Sequence, residues 1–179
     1  MTIRTAQLAD ADAVAQLHGY SWQTAYRGIL RDDFLAGPLH ENRRALWHGR
    51  LSELNRADQF VLVDEDDGAI RGFACGFLDA DPDWGCLLDN LHVVPELKGQ
   101  GLGRQLMGEV TQRVLHSKST QRLHLWAYEQ NLAARGFYER LGGLITLRQP
   151  KPAPDGSEVN EVRYCWSDLS GLAERCRGP

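Results

Sequence analysis

The 179-residue sequence lacks long hydrophobic runs, has few cysteines and carries no excess of positive charge. No apolar stretch approaches the roughly 18 residues that a membrane helix needs. The N-terminal residues do not form a signal-peptide pattern, so a cytoplasmic protein without membrane contacts is expected. The net charge of −4 argues against nucleic acid as the main partner.

Cysteine is scarce, and its spacing excludes the common zinc motifs. The 4 cysteines lie far apart and form no C-x-x-C pair, so no metal site is expected. The rest of the composition, 42% hydrophobic and 25% charged, is typical of a globular protein. The length fits one domain, which we place at residues 1–170, with a C-terminal tail at residues 171–179.

The most informative stretch is residues 87–107, LLDNLHVVPELKGQGLGRQLM. The apolar run 87–94 predicts a buried strand, and Pro95 ends its pairing because proline has no N–H. Alternate glycines follow, and then apolar residues at every fourth position, which predict a helix. Free N–H groups of the first helical turn and the helix dipole would make this loop an anion site, suited to phosphate. The loop comprises Lys98, Gly99, Gln100, Gly101, Leu102, Gly103 and Arg104.

Two other phosphate-binding loops fit this stretch poorly. The nucleotide-hydrolase loop needs Lys and then Ser or Thr after its last glycine, but Arg104 and Gln105 follow Gly103. The dinucleotide loop needs G-x-G-x-x-G and an acidic residue at the end of the next strand. Here the last glycine is missing, and the next strand has no acid at its end until Glu129. A simple helix cap is the structural alternative, although it needs one glycine.

The pattern Lys98-x-x-Gly101-x-Gly103, after Val-x-Pro, resembles the acetyl-coenzyme A loop of the GNAT acetyltransferase superfamily. That family's signature is [QR]-x-x-G-x-[GA], so Lys98 departs from it while keeping a positive charge. The resemblance implies acetyl-CoA as co-substrate, bound by residues 98–104 mainly through backbone N–H groups, with no metal. It is strongest over residues 59–143.

The predicted element order, β-α-α-β-β-β-α-β-α-β-β, matches the GNAT fold. This is an α/β (α+β) fold with a mixed, twisted sheet and helices on both faces. The resemblance implies that the strands ending at Val94 and Ala127 splay apart, and that pantetheine lies between them. Leu91, His92 and Val93 would then bind it through backbone groups, and one N–H would polarise the thioester carbonyl.

Two segments near the C-terminus are predicted from local sequence. Residues 149–159 contain three prolines and Asp155-Gly156, which indicate a long turn between the last two strands. These strands are expected to be antiparallel. Residues 168–179 are expected to form a short helical or frayed tail.

A second motif, N-x-x-A-x-x-x-Y-x-x-x-G, begins at Asn131 and also resembles the GNAT family. Asn131 is a good helix N-cap, so a structural role and a contact with pantetheine remain equally open. The resemblance implies that the Tyr138 hydroxyl faces the coenzyme sulfur. A thiol pKa near 8.5 and a phenol pKa near 10 make that proton exchange roughly balanced. The alternative for Tyr138 is a packed aromatic side chain.

An amine acceptor must lose a proton before it attacks a thioester. Asp89 occupies the position where many GNAT members carry a glutamate, and it is the first candidate base. Strand alternation places Asp89 on one face with Leu91 and Val93, unless a bulge intervenes. His92 is a second candidate, and structural roles remain open for both residues.

Trp22 and Tyr26 lie in a W-x-x-x-Y-x-G-I segment that resembles one found in a subset of the family. They would line the acceptor pocket or cover the core. No role is assigned to Arg43 or Trp84.

Together these features predict an N-acetyltransferase that moves acetyl from acetyl-CoA directly to a primary amine of a small molecule or peptide. The alternative is a non-catalytic acyl-CoA-binding sensor. A longer acyl group is also open. The acidic composition would favour cationic amines, although net charge does not identify an acceptor. The resemblance is compatible with a homodimer.

Overall fold

The computed structural model describes residues 2–37, 39–53, 58–117 and 121–177. A mixed seven-stranded sheet, in the order β1-β2-β3-β4-β5-β7-β6, carries helices on both faces, which confirms the predicted α/β fold. The elements are β1 Thr2–Thr5, α1 Ala11–Ala25, α2 Asp32–Ala36, α3 Leu39–Ser52, β2 Gln59–Asp66, β3 Ala69–Asp81, β4 Gly85–Val93, α4 Leu102–His116, β5 Leu123–Tyr128, α5 Leu132–Arg140, β6 Leu144–Pro152, β7 Glu158–Trp166 and α6 Leu169–Arg177.

The two faces of the sheet have separate cores. On one face, α4, α5 and α6 cover Leu88, Leu125 and Tyr164. On the other face, α1 and α3 cover the first strands around Trp47 and Phe73. Burying such side chains contributes about 1.5–3 kcal/mol each relative to leaving them exposed. Helices therefore pack on both faces of the sheet and hold its central strands in place.

Helix α1 runs without interruption through Gly19. Helix α3 packs closely against α1 at this position. A Cβ atom at Gly19 would lie only 2.7 Å from the Nδ1 atom of His40. Absence of a side chain therefore permits the close approach of the two helices. None of the described helices is both long enough and apolar enough to cross a lipid bilayer.

Strands β4 and β5 are paired over only a short distance. They are parallel, and their ladder contains the pairs Cys86–Leu123 and Leu87–His124. Beyond that point β4 continues to Val93 and β5 to Tyr128, yet no further ladder pair joins these two fully described strands. The predicted splay in the centre of the sheet is confirmed.

The C-terminal part is more ordered than the sequence predicted. The long turn predicted at residues 149–159 is wrong, because β6 extends to Pro152 and β7 begins at Glu158. β6 tolerates its prolines since it is the edge strand, where a missing N–H breaks no ladder. β6 and β7 are antiparallel, as predicted.

The segment expected to be a short helical or frayed tail forms α6, whose apolar face is buried. α6 packs on α4, where a Cβ at Gly108 would lie 3.2 Å from the Cβ of Cys176. Residues 178–179 of the predicted tail lie outside the described residues.

Candidate active site

The glycine loop between β4 and α4 has an open backbone. Gly99 has a φ of +80° and Gly101 a φ of +88°, in the left-handed region that favours glycine. A Cβ atom at Gly99 would meet nothing within 4 Å, and one at Gly101 would approach only the Arg104 side chain, at 3.8 Å. A ligand could therefore approach the main chain directly at both positions.

Backbone amides of this loop are available to a ligand. Leu102 and Gly103 lie in the first turn of α4, where N–H groups have no acceptor within the helix. Within the part of the chain that the structure describes, the amides of Gly99, Gly101, Leu102 and Gly103 donate to no backbone carbonyl. Lys98 is exposed beside them and supplies a positive charge. These properties fit a phosphate-bearing ligand.

Gly103 has a packing role that differs from the other two glycines. A Cβ atom there would come within 3.6 Å of the Phe137 ring and 3.8 Å of Val93. Gly103 therefore lies where the start of α4 meets α5 and the end of β4, at ordinary van der Waals distance. On the opposite side, the Tyr20 hydroxyl donates to Glu96 at 2.6 Å and connects α1 to the turn that precedes the loop.

The edge of β4 that faces the gap carries unpaired N–H groups. The Val94 N–H donates to the Arg71 carbonyl of β3 at 2.8 Å. Since successive N–H groups of a strand point in opposite directions, those of Leu91 and Val93 point away from β3 and towards the gap. The His92 N–H points to β3, so only its neighbours present amides to the gap.

Asp89 does not share a face with Leu91 and Val93, because the β-bulge that the sequence left open is present. Cys75 of β3 pairs with Asn90, whereas Gly76 pairs with Leu88, so Asp89 is the extra residue of a β-bulge. Leu91 and Val93 pack towards α4. The Asp89 carboxylate instead points towards α3 and forms a 2.8 Å ion pair with Arg50.

Arg50 holds two consecutive residues of this bulge. Its Nη1 atom donates to the Asn90 side-chain oxygen at 2.8 Å and also contacts Asp89. One guanidinium on α3 therefore orients the bulge on the face away from α4. Sequence analysis did not assign a site role to Arg50, because nothing in the sequence indicates that α3 reaches β4.

His92 is held in a cluster of polar and aromatic side chains beneath α1. Its Nδ1 atom lies 2.8 Å from the Ser21 hydroxyl, and its ring centroid is 4.7 Å from that of His18. Burial lowers the pKa of His92 to about 3, and the charges of Lys98 and Arg43 act in the same direction. A neutral imidazole with this pKa is a weak base near pH 7.

His18 is buried and serves as an acceptor for Trp47. The indole N–H of Trp47 donates to His18 Nδ1 at 2.9 Å, which places the histidine proton on Nε2. Burial lowers the pKa of His18 far below its usual value. His18 therefore remains neutral, and its ring packs against the ring of His92.

Tyr138 lies on α5 within the core on the α4 side of the sheet. Its ring packs against Tyr164 and Trp166, with centroid separations of 5.7 Å and 6.1 Å. Burial raises the pKa of Tyr138, with a smaller contribution from Tyr164. The phenol is thus protonated at neutral pH and could donate a proton, but it would be a poor base.

Asn131 caps α5, which confirms the structural role that was one of its two predicted roles. Its side-chain oxygen accepts a 3.2 Å hydrogen bond from the Ala134 N–H. The predicted contact with pantetheine stays a prediction.

Trp22 and Tyr26 form an aromatic wall at the end of α1. Their ring centroids are 5.1 Å apart, and Tyr26 in turn packs 5.0 Å from Tyr128, the last residue of β5. Burial raises the pKa of Tyr26, and electrostatic interaction with Tyr128 and Tyr138 adds to this effect. Tyr26 is therefore within electrostatic range of Tyr138, although the two residues belong to opposite faces of the sheet.

Arg43 of α3 completes this wall and was not recognised in the sequence. Its guanidinium carbon lies 4.5 Å from the centre of the Trp22 ring. Burial lowers the pKa of Arg43, and the nearby Arg50 adds to this effect. Arg43 and the rings of Trp22 and Tyr26 thus form one cluster beside the end of β5.

Known proteins share both the sequence pattern and the fold. The sequence profile of the acetyltransferase (GNAT) family matches residues 16–143. The chain belongs to the GNAT family. The matched segment runs from α1 to the glycines after α5, so it contains the loop, the gap and the aromatic wall. The predicted resemblance and the enzyme class, an acyltransferase, are confirmed.

Individual GNAT relatives cover almost the whole chain. A Mycobacterium tuberculosis protein named as a probable N-acetyltransferase, Rv2775, is 30% identical over 171 residues, covering 95% of this chain and 87% of its own. The Bacillus subtilis protein YuaI, an uncharacterized N-acetyltransferase, is 28% identical over 180 residues, or 96% of each chain.

The GNAT fold is also shared with a solved structure, that of the PaiA N-acetyltransferase from Thermoplasma acidophilum in complex with coenzyme A. It superposes with a TM-score of 0.69 at 17% identity, covering 90% of this chain and 98% of the other. In the described part of this GNAT chain, no group of three or more His, Cys, Asp or Glu side chains is arranged to hold a metal ion.

Proposed function

We propose that the protein transfers the acetyl group of acetyl-CoA directly to a primary amine of a small molecule or peptide. The observation that carries this proposal is the separation of β4 and β5 after Leu87 and His124, beside a loop with open glycines. An extended ligand arm fits between the two strands, and an anionic group fits the loop. Coenzyme A combines both features.

The loop and the strand edge would hold the coenzyme. The amides of Gly99, Gly101, Leu102 and Gly103 would bind the diphosphate, and Lys98 and Arg104 would add positive charge nearby. Gln100 lies within the same loop, while Asn131 would contact the pantetheine arm from the start of α5. The N–H groups of Leu91 and Val93 point into the gap and would bind the extended arm as a neighbouring strand does.

The reaction needs charge stabilisation and two proton transfers. When bound, acetyl-CoA supplies the acetyl group and a thiol leaving group of pKa about 8.5. The Leu91 N–H would stabilise the carbonyl oxygen as negative charge develops on it. Tyr138, which is protonated at neutral pH, would donate its proton to sulfur as the carbon–sulfur bond breaks.

Asp89 would accept the proton that the amine loses. Its carboxylate is only about one-third exposed and is oriented by Arg50 beside the gap. His92 is the weaker candidate, because a pKa of about 3 makes it a poor proton acceptor. Trp22 and Tyr26 would form one wall of the acceptor pocket.

Thiol release tests this function directly. The protein is incubated with acetyl-CoA and a panel of amines, amino acids and peptides, and free thiol is measured against a no-acceptor control. The transferase predicts thiol release with at least one acceptor and the matching acetylated product by mass spectrometry. Saturable coenzyme binding without thiol release across the panel would instead favour the non-catalytic sensor.

A further inference from the structure

The charge of Arg43, which lies beside the proposed acceptor pocket, is not compensated by an ion pair in the described part of the chain. Its Nη2 atom donates to the neighbouring Asn42 side chain, but its Nε is buried without a hydrogen-bond partner. No carboxylate forms an ion pair with Arg43 within the described ranges, and the remaining residues contain no Asp or Glu. The nearest acid in electrostatic terms, Asp89, is already paired with Arg50.

This arrangement is unfavourable for the folded protein alone. A half-buried guanidinium loses hydration, and without a paired anion only the Trp22 ring compensates for part of that loss. The pKa of Arg43 is lowered mainly by burial, which agrees with this loss of hydration of the charged group. A half-buried cation without a protein anion is available to pair with an anionic group of a ligand.

Arg43 contacts Trp22, which the proposed function assigns to the acceptor pocket. It interacts electrostatically with Asp89 on β4 and with Tyr128 and Tyr26 on the aromatic wall. It also acts on His92 at the edge of the gap. Arg50 and Asp89 in this neighbourhood neutralise each other as an ion pair, so the charge of Arg43 is left over despite the net charge of −4 of the whole chain.

We propose that the acceptor is an amine that also carries a carboxylate, as in amino acids, and that Arg43 binds this carboxylate. The inference rests on the proposed transferase function and adds the substrate class. Guanidinium binds carboxylate through parallel N–H donors, which also orients the ligand. The local charge disfavours polycationic acceptors such as polyamines, which the acidic composition alone would have favoured.

The test compares matched acceptors in matched variants. Each amino acid is paired with the amine that lacks its carboxylate, for example phenylalanine with phenethylamine. Wild type, Arg43→Gln and Arg44→Gln are assayed with acetyl-CoA by thiol release. Arg44 is the control because it neighbours Arg43 on α3 but is exposed and paired with Asp12 at 2.7 Å.

We expect wild type and Arg44→Gln to prefer the carboxylate-bearing member of a pair by roughly ten- to a hundredfold in kcat/KM. Arg43→Gln should lose that preference, so that the ratio of kcat/KM values within each pair falls to within about threefold of one. Equal use of both members by wild type would overturn the inference. So would an equal loss of activity with both members in Arg43→Gln, since that indicates a structural role.

A binding measurement separates this inference from the transferase proposal. In the presence of coenzyme A, carboxylate-bearing amines should raise the melting temperature of wild type and Arg44→Gln but not of Arg43→Gln. This result without thiol release would contradict the transferase function and still support a carboxylate site. Thiol release combined with equal stabilisation of Arg43→Gln would contradict the carboxylate site and leave the transferase function standing.

Discussion

Replacing Gly101 with aspartate tests the loop most sharply, because the chain provides a matched control. Gly101 has a φ of +88°, and Gly68, in the turn between β2 and β3, has a φ of +77°. Neither position has an atom within 3.5 Å of an added Cβ. Gly101→Asp and Gly68→Asp therefore introduce one negative charge each and similar backbone strain, about 1 kcal/mol.

The two variants should differ strongly in coenzyme binding. At an effective dielectric constant of about 20, two like charges roughly 6 Å apart repel by about 3 kcal/mol. Gly101→Asp should therefore weaken acetyl-CoA binding roughly a hundredfold. Gly68→Asp should leave Kd within about twofold, since its charge lies outside the loop and is screened by salt.

Isothermal titration calorimetry gives the two dissociation constants, and thermal melting checks that both variants are folded. If Gly101→Asp binds acetyl-CoA within a few-fold of Gly68→Asp, the loop does not hold the diphosphate. A loss of binding in both variants would point to a general destabilisation and equally contradict the assignment.

The remaining predictions concern proton transfer and stability. Tyr138→Phe should lower kcat about a hundredfold, because no phenol protonates the sulfur, while coenzyme Kd measured by calorimetry is unchanged; an unchanged kcat would remove Tyr138 from the mechanism. Asp89→Asn should lower kcat/KM by a similar factor without changing coenzyme Kd; a rate within threefold of wild type would exclude Asp89 as the base. His18 and His92 are neutral in the folded protein and bind protons on unfolding, so stability is greatest above pH 6.5 and falls as the pH decreases. Together they should lower the free energy of unfolding by about 4 kcal/mol between pH 8 and pH 5, which urea titrations at both pH values would measure; a flat profile would contradict their burial as neutral groups.

Control variants make these results specific. Tyr20→Phe removes an exposed phenol that contacts Glu96 and should keep kcat. In the pH series, His92→Asn should lose about half of the pH-dependent destabilisation, since one of two imidazoles is removed.

The sequence was sufficient to predict features that depend on local chemistry. The separation of the two central strands was expected only from the resemblance to the GNAT family. Positive φ angles at Gly99 and Gly101 and the Asn131 cap, in contrast, follow from glycine spacing and capping preference. These features involve residues close together in the chain, so a short pattern carries them.

Features that depend on distant contacts could not be predicted in the same way. The bulge that turns Asp89 to the other face arises from the pairing of β4 with β3, and no residue type in β4 marks it. Prolines at the end of β6 indicated a turn, yet its position at the sheet edge permits a strand. Arg43 gains its importance only where α3 crosses α1 and its guanidinium meets Trp22.

Titration of the ¹⁵N-labelled protein with coenzyme A, followed amide by amide by NMR, tests the central claim most directly. The largest shifts should occur at Gly99, Gly101, Leu102 and Gly103, and along the gap at Leu91 and Val93. Binding that leaves these amides unshifted while perturbing another surface would contradict the account.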